Sequence, residues 1–105
     1  MLPRANRFSF TTGVPRKTYG TQFFAIRYEE NDDKLKSAVV VGKKVDKRAV
    51  VRNKIKRQIN EAIRQELGLK AKYKLIIYAK KPINGLASKQ IREELINSFK
   101  TINIK

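Results

Sequence analysis

Residues 48–67 read RAVVRNKIKRQINEAIRQEL and carry the most regular apolar pattern in the chain. An apolar side chain recurs at every fourth position, at Val51, Ile55, Ile59, Ile63 and Leu67. Because an α-helix turns once in about 3.6 residues, this spacing gathers the apolar side chains along one side of a helix. Gly68, a residue type common at helix ends, follows the last of them. The pattern predicts one long amphipathic helix over 48–67 whose apolar side faces the core.

The segments on either side of the predicted helix have the composition of β-strands. Upstream, residues 21–28 (TQFFAIRY) and 35–43 are rich in aromatic or β-branched side chains, and residues 73–79 (YKLIIYA) are similar downstream. The polar residues 29–33 separate the first two segments, so we expect those two strands to pair as a hairpin. A second helix is expected over 86–101, with apolar side chains along one side.

The first 20 residues form a basic arm that we expect to be largely irregular. Gly13, Pro15 and Gly20 interrupt any long helix there, although a weaker pattern indicates a short strand near residues 16–19. The chain is 105 residues long, without an evident repeat or linker, which fits one domain. We therefore predict a single α+β domain over 1–105 with a central, mostly antiparallel sheet.

Positive charge dominates the composition and is concentrated at the start of the predicted long helix. The chain has 25 lysines and arginines against 9 acidic residues, a net charge of +16. Between residues 43 and 57 only Asp46 opposes eight basic side chains, at Lys43, Lys44, Lys47, Arg48, Arg52, Lys54, Lys56 and Arg57. The helix dipole and like charges one turn apart both disfavour this arrangement. A phosphate backbone favours it, so we predict nucleic-acid binding; the alternative is a solvated face that keeps the protein soluble.

The composition excludes several classes of function. The chain has no cysteine and no histidine, which excludes disulfides, thiolate zinc sites, thiol nucleophiles and histidine bases. Its longest apolar runs, at 38–41 and 75–79, are far shorter than the roughly 20 residues of a membrane-spanning helix. The first residues lack the apolar stretch of a signal peptide. We therefore expect a cytoplasmic protein, without a membrane partner, whose chemistry is supplied by something else.

Aromatic side chains in the first predicted strand are candidates for stacking on unpaired bases. Alternation puts Phe24, Ile26 and Tyr28 on one face of that strand, and one of its two faces belongs to the core. Tyr28 is the best candidate because its hydroxyl group tolerates a wet surface. The acidic residues within 29–33 are interpreted as a solvated loop, and we expect neither metal ligands nor catalytic residues in this chain.

A specific motif appears where the basic run enters the predicted helix. A Lys43-Lys44 pair at a strand end is followed by a short basic connection and by the motif Arg-Asn-x-x-Lys-Arg at residues 52–57. This arrangement strongly resembles the signature of the bacterial ribonuclease P protein component. The likeness continues at 23–28 and at 73–82 (YKLIIYAKKP), so it covers most of the chain.

The resemblance implies a fold and a division of labour. The family's fold is an α/β sandwich whose βαβ crossover is left-handed, and its reaction is removal of the 5′ leader from precursor tRNA. A catalytic RNA performs that reaction with bound magnesium ions, so Mg²⁺ is expected to be held mainly by the ribonuclease P RNA. The implied partners are this RNA and precursor tRNA, and DNA is not among them.

The resemblance also assigns roles to residues of this chain. The side chains implied to face the catalytic RNA are Lys43, Lys44, Arg48, Arg52, Asn53, Lys56 and Arg57. Those implied to line a cleft for the leader are Tyr28, Ile26 and, from the basic arm, Phe10. The chain departs from the family pattern in its short N-terminal region and at Asn60, where the family tends to have arginine. An RNA contact there is expected to be weaker or shifted to Arg64.

Two other functions remain open at this point. A structural RNA-binding protein, such as a small ribosomal protein, shares the charge, the size and the α/β composition, but it does not account for the spacing of the two basic motifs. A DNA-binding module would place the basic helix in a major groove, which requires base-reading side chains. The ribonuclease P protein subunit is the leading hypothesis.

Overall fold

The computed structural model describes residues 17–30, 35–68 and 72–102. In these ranges the chain forms four strands, two α-helices and one short 3₁₀-helix. Their bounds are β1 Lys17–Gly20, β2 Phe24–Glu30, β3 Lys36–Val40, α1 Ala49–Leu67, β4 Tyr73–Ala79, the 3₁₀-helix Lys81–Gly85 and α2 Ser88–Thr101. Both predicted helices are confirmed, and they begin within two residues of the expected positions. Neither described helix is long and apolar enough to cross a membrane.

The four strands form one mixed sheet in the order β1-β2-β4-β3. β2 pairs antiparallel with both β1 and β4, whereas β3 pairs parallel with β4. The predicted hairpin between residues 21–28 and 35–43 is therefore wrong, because β4 lies between these two strands. The physical reason is the burial of β4, whose Leu75, Ile76 and Ile77 are all fully buried. A strand with three successive apolar side chains is better buried between two neighbours than at the edge of the sheet, so β4 separates β2 from β3. The sheet as a whole is mostly antiparallel, as predicted.

The helix α1 connects β3 to its parallel neighbour β4. Parallel strands cannot be joined by a tight turn, so the chain crosses over the sheet, and the long amphipathic helix makes that crossover. At its end, Gly68 has a positive φ of 75° and donates its N–H to the Arg64 carbonyl, a backbone conformation that suits glycine. The left hand of this crossover remains a prediction from the family resemblance.

The hydrophobic core lies between the sheet and the two helices. α1 contributes the predicted stripe, with Ile55, Ile59 and Ile63 buried, and Val51 and Leu67 packed half-buried at its two ends. β2 and β4 contribute side chains from the facing side of the sheet, and α2 adds Ile91, Leu95 and Phe99. The result is a two-layer α/β sandwich in which the side of α1 that faces away from the sheet is exposed.

The last four residues of the basic arm, expected to be irregular, form the edge strand β1. The weaker strand signal near 16–19 is thus confirmed, and the hairpin of this sheet is β1–β2. Its turn is built on Thr21, whose Oγ1 accepts the backbone N–H groups of Phe23 and Phe24 at 3.1 and 3.2 Å. Lys80 Nζ also donates to the Thr21 carbonyl at 2.7 Å, which ties the turn to the end of β4.

Replacing Ile59 tests the placement of the apolar stripe. Ile59 has no exposed surface, so Ile59→Ala is expected to lower the free energy of unfolding by about 2–5 kcal/mol, through lost transfer energy and a residual cavity. The exposed Arg57→Ala variant, two residues before Ile59 and off the stripe, should change the free energy of unfolding by less than about 0.5 kcal/mol. Urea unfolding followed by circular dichroism measures both; equal midpoints for Ile59→Ala and the wild type would show that the stripe is misplaced.

Candidate nucleic-acid interface

Two buried valines shape the connection between β3 and α1. Val41 and Val45 belong to the core cluster, and the Val45 N–H donates to the Gly42 carbonyl at 3.1 Å, which closes a tight turn. The residues between the valines, including Lys43 and Lys44, are exposed. Because both ends of the turn are anchored in the core, the two lysines are held at the surface rather than on a loose loop.

The carboxylate of Asp46 organises the rest of the connection. It accepts the Arg48 backbone N–H at 2.8 Å, and Nε and Nη2 of the same arginine at 3.1 and 3.0 Å. Asn84 Nδ2, from the 3₁₀-helix after β4, donates to it at 2.9 Å. The side-chain and backbone hydrogen bonds of Arg48, followed by that of Asn84, hold the pKa of Asp46 well below its usual range. The single acid in the basic run is therefore a structural residue.

Arg52 fastens the same connection to the helix. Its Nη1 donates to the backbone carbonyls of Asp46 at 3.0 Å and Lys47 at 2.8 Å, and its side chain is half-buried. The family resemblance placed Arg52 among the RNA-facing side chains. In the structure the Nη1 group of Arg52 is already used for hydrogen bonds within the protein. The side chain therefore stabilises the connection as well as adding a positive charge to it.

Three predicted RNA-facing residues lie together on the outer side of α1. Asn53, Lys56 and Arg57 are exposed and have the spacing of neighbours on one helix face. Within the described ranges none of the three side chains has a hydrogen bond or an ion pair. We call the seven predicted RNA-facing residues the basic face: Lys43, Lys44, Arg48, Arg52, Asn53, Lys56 and Arg57.

The first turn of α1 is open to an anion. No side chain caps its N-terminus, and no acidic residue lies in that turn. Arg48 occupies the N-cap position with its side chain 74% exposed, and Val50 is 77% exposed. The unpaired backbone N–H groups and the positive end of the helix dipole point to the surface that carries the basic face. This arrangement suits a phosphate group.

The two halves of α1 differ in how their charges are used. In the second half Glu61 forms an ion pair with Arg64, which lowers the pKa of Glu61 and raises that of Arg64. Glu66 accepts both Nε and Nη2 of Arg92 from α2, at 3.2 and 2.9 Å. The expected shift of an RNA contact from Asn60 to Arg64 is therefore opposed by the Glu61 pairing. Unpaired positive charge is concentrated on the first half of the helix.

The residues implied for the leader cleft have different environments. Tyr28 is half-buried at the edge of the core, with Lys17 Nζ 6.0 Å from the centre of its ring, a cation–π distance. Ile26 lies opposite Ile77 on the same face of the sheet and has no exposed surface. Direct contact between Ile26 and a bound strand is therefore not possible in this structure, because the covered face is the one it shares with Tyr28. Phe10 lies outside the described residues.

One contributor to the interface was missed by sequence reasoning. The sequence pattern assigned no role to Asn84, yet its Nδ2 group bridges the Asp46 carboxylate and the Val45 carbonyl, at 2.9 and 3.2 Å. Nothing in the local sequence distinguishes this asparagine from an ordinary turn residue. Only the folded chain brings residues 45 and 84 together.

Comparison with known proteins identifies the family. The sequence model of the Ribonuclease P family matches residues 1–103. The chain belongs to the ribonuclease P protein family. It is 40% identical over 91 residues to the ribonuclease P protein component of Mycoplasma mycoides subsp. mycoides, a match that covers 83% of this chain and 82% of that protein. The corresponding protein of Mycoplasma capricolum is 36% identical over 91 residues, with the same coverage.

Solved structures confirm the fold. The chain matches a structure of the Staphylococcus aureus RNase P protein with a TM-score of 0.78 and 23% identity, over 96% of this chain and 98% of that one. The Thermotoga maritima RNase P protein matches with a TM-score of 0.73 and 22% identity, over 90% and 96% of the two chains. The predicted small α+β domain is the fold of this family.

The hydrogen bonds of Asp46 have a testable dependence on pH. Because its pKa is lowered in the folded state, its contribution to stability is present above the ordinary value of 3.8 and is lost as the pH falls below it. In Asp46→Asn this contribution is absent at every pH. We expect the stability difference between wild type and variant to be constant from about pH 7 to 5 and to shrink towards about pH 3. Urea unfolding at these values measures it; a difference that did not change with pH would contradict the assignment.

Arg52 should affect folding as well as binding. Removing its two hydrogen bonds to the connection in Arg52→Ala is expected to cost about 1–2 kcal/mol of unfolding free energy. Arg57→Ala, which removes the same charge without breaking a bond, is the matched control. Thermal melting compares the two variants, and equal melting temperatures would show that the Arg52 bonds do not support the connection.

Proposed function

We propose that this ribonuclease P protein subunit binds the catalytic RNA through its basic face and contacts the 5′ leader of precursor tRNA. In this role it supports the magnesium-dependent endonucleolytic removal of the leader. The observation that carries the proposal is the set of unpaired cations on the β3–α1 connection and the first half of α1, next to a helix N-terminus that no side chain caps.

The electrostatics of the basic face favour a polyanion as its partner. Lys43, Lys44, Lys56 and Arg57 are exposed, and the one nearby carboxylate is already occupied by Arg48 and Asn84. Like charges at this density repel one another in the free protein, and a phosphate backbone removes that repulsion while its counterions are released. A surface needed only for solubility would have carried both signs.

In this proposal the reaction itself belongs to the RNA. Among the described residues, no three acidic, histidine or cysteine side chains lie together. The magnesium ions are assigned mainly to the partner RNA on the strength of the family resemblance. The protein neutralises phosphates so that the catalytic RNA and precursor tRNA can associate, and it should lower the magnesium concentration needed for turnover.

The leader is assigned to the surface around Tyr28. This ring has Lys17 beside it, which pairs an aromatic surface with a cation and suits a single-stranded, negatively charged segment. Phe10 from the basic arm remains part of this proposal. Ile26 does not touch the leader in this proposal. It belongs to the buried core against which Tyr28 packs.

Cleavage of precursor tRNA by a bacterial ribonuclease P RNA at low magnesium tests the proposal. Adding this protein is expected to stimulate cleavage strongly, and a Lys56→Ala/Arg57→Ala variant should lose most of the stimulation while keeping its melting temperature. The matched control is Lys89→Ala/Lys100→Ala, which removes two exposed charges from α2 and should stimulate like the wild type. If the basic face meets about six phosphates, log K should fall with log salt with a slope of about −5, and the Lys56/Arg57 variant should be less salt-dependent.

The same assay separates the proposal from its main alternative. Tight RNA binding without stimulation of a closely matched catalytic RNA would favour a structural RNA-binding protein. If Lys56→Ala/Arg57→Ala stimulated cleavage as strongly as Lys89→Ala/Lys100→Ala, the basic face would not be the surface that binds the catalytic RNA.

A further inference from the structure

A groove lies on the flank of α1, beside the segment that links β4 to α2. It has a volume of about 370 Å³ and is open to solvent. Its floor is apolar and includes Ile55, Ile83 and Leu86, while its rim carries Lys54, Gln58 and Ser88. Sites for small ligands span roughly 300–1,000 Å³, so this groove has room for one nucleotide but not for a duplex or a folded domain.

The rim has the chemistry of a site for a nucleobase on an RNA chain. The amide of Gln58 and the hydroxyl of Ser88 can each donate and accept hydrogen bonds, and in the structure they bond to each other across the groove. The Lys54 side chain is exposed and supplies a cation for a phosphate. None of the described residues that line the groove is acidic. An apolar floor, hydrogen-bonding groups and a single cation fit an unstacked base with its phosphate.

The groove is continuous with the basic face. Around the circumference of α1, Arg57, Lys54 and Gln58 follow one another in this order, because successive residues are about 100° apart. Asn84 lines the groove and also holds the Asp46 carboxylate of the β3–α1 connection. An RNA strand that lies on the basic face can therefore pass Lys54 and reach the groove without leaving the surface of the helix.

We infer that this groove binds one unpaired nucleotide of the RNA partner, with the base over the apolar floor and its phosphate at Lys54. The inference rests on the proposed function, because the occupant belongs to the RNA that the basic face binds. It adds a contact that depends on an unpaired base, whereas cations on an exposed helix bind phosphates of any sequence or pairing. The site should thus prefer single-stranded RNA to duplex RNA.

Photocrosslinking tests the position of the base in the unmodified protein. A single-stranded oligouridine that contains 4-thiouridine is irradiated with the full-length protein, and the crosslinked tryptic peptide is identified by mass spectrometry. A crosslink within residues 81–89, which carry one wall of the groove, is the expected result. Crosslinks confined to other peptides would overturn the inference.

A pair of substitutions at Ser88 tests occupancy of the groove. Ser88→Trp fills the space, whereas Ser88→Ala leaves it open and removes only the hydroxyl. We expect Ser88→Trp to abolish the 81–89 crosslink and to weaken binding of the single-stranded RNA about tenfold, with less than about a twofold effect on a duplex of the same length. Ser88→Ala should stay close to the wild type. An equal loss for both RNAs, or no loss for either, would refute the inference.

A third variant separates this inference from the proposed function. Lys56→Ala/Arg57→Ala alters the basic face but not the groove, so it should weaken binding of both single-stranded and duplex RNA. If it does so while Ser88→Trp has no effect, the inference that the groove binds a nucleotide is overturned and the proposed function stands. If it leaves both affinities unchanged, the proposed function itself fails. Melting curves of every variant show that the losses do not arise from unfolding.

Discussion

Asp46 ties the β3–α1 connection to the start of α1 and to the 3₁₀-helix after β4, which is distant in the sequence. Its carboxylate accepts hydrogen bonds from Arg48 and Asn84, and its backbone carbonyl accepts one from Arg52. Val41 and Val45 fix the same connection from below. Without this carboxylate, Arg48 and Asn84 would lose the acceptor that they share. The basic face is therefore positioned in part by a single negative charge, the Asp46 carboxylate, which lies among its positive charges.

The positive charges of α1 repel one another most where no acidic side chain neutralises them. In the second half of α1 the acids pair with Arg64 and Arg92, as is usual for a solvated helix. In the first half Lys56 and Arg57 have no such partner within the described ranges, and the helix dipole adds to their repulsion. This unfavourable electrostatic energy is a property of the free protein. In the proposed complex a phosphate backbone relieves this repulsion, so the feature that weakens the helix start in the free protein would favour binding.

Sequence reasoning succeeded where the information is local. The four-residue period defined α1 and its buried side, and the spacing of basic residues indicated the family. It failed for the hairpin, because strand composition shows which segments are strands but not which strand becomes the neighbour of which. Alternation grouped Ile26 with Tyr28 correctly, yet it could not tell that this face is the covered one. The hydrogen bonds of Asn84 were out of reach, because residues 45, 46 and 84 meet only in the folded chain. Those of Arg52 are local, but they depend on the path of the β3–α1 connection, which the sequence pattern does not show.

The position of β4 inside the sheet has a consequence for the order of folding. The β1–β2 hairpin can form early because its strands are adjacent in sequence, but β2 and β3 have no common neighbour until β4 is available between them. Until then their inner edges are unpaired, and contacts of such long sequence separation form slowly. Asn84 follows β4, so the last clamp on Asp46 closes later still. During synthesis, therefore, the nascent chain exposes the basic run of residues 43–57 before Asn84 has closed the last hydrogen bond to Asp46.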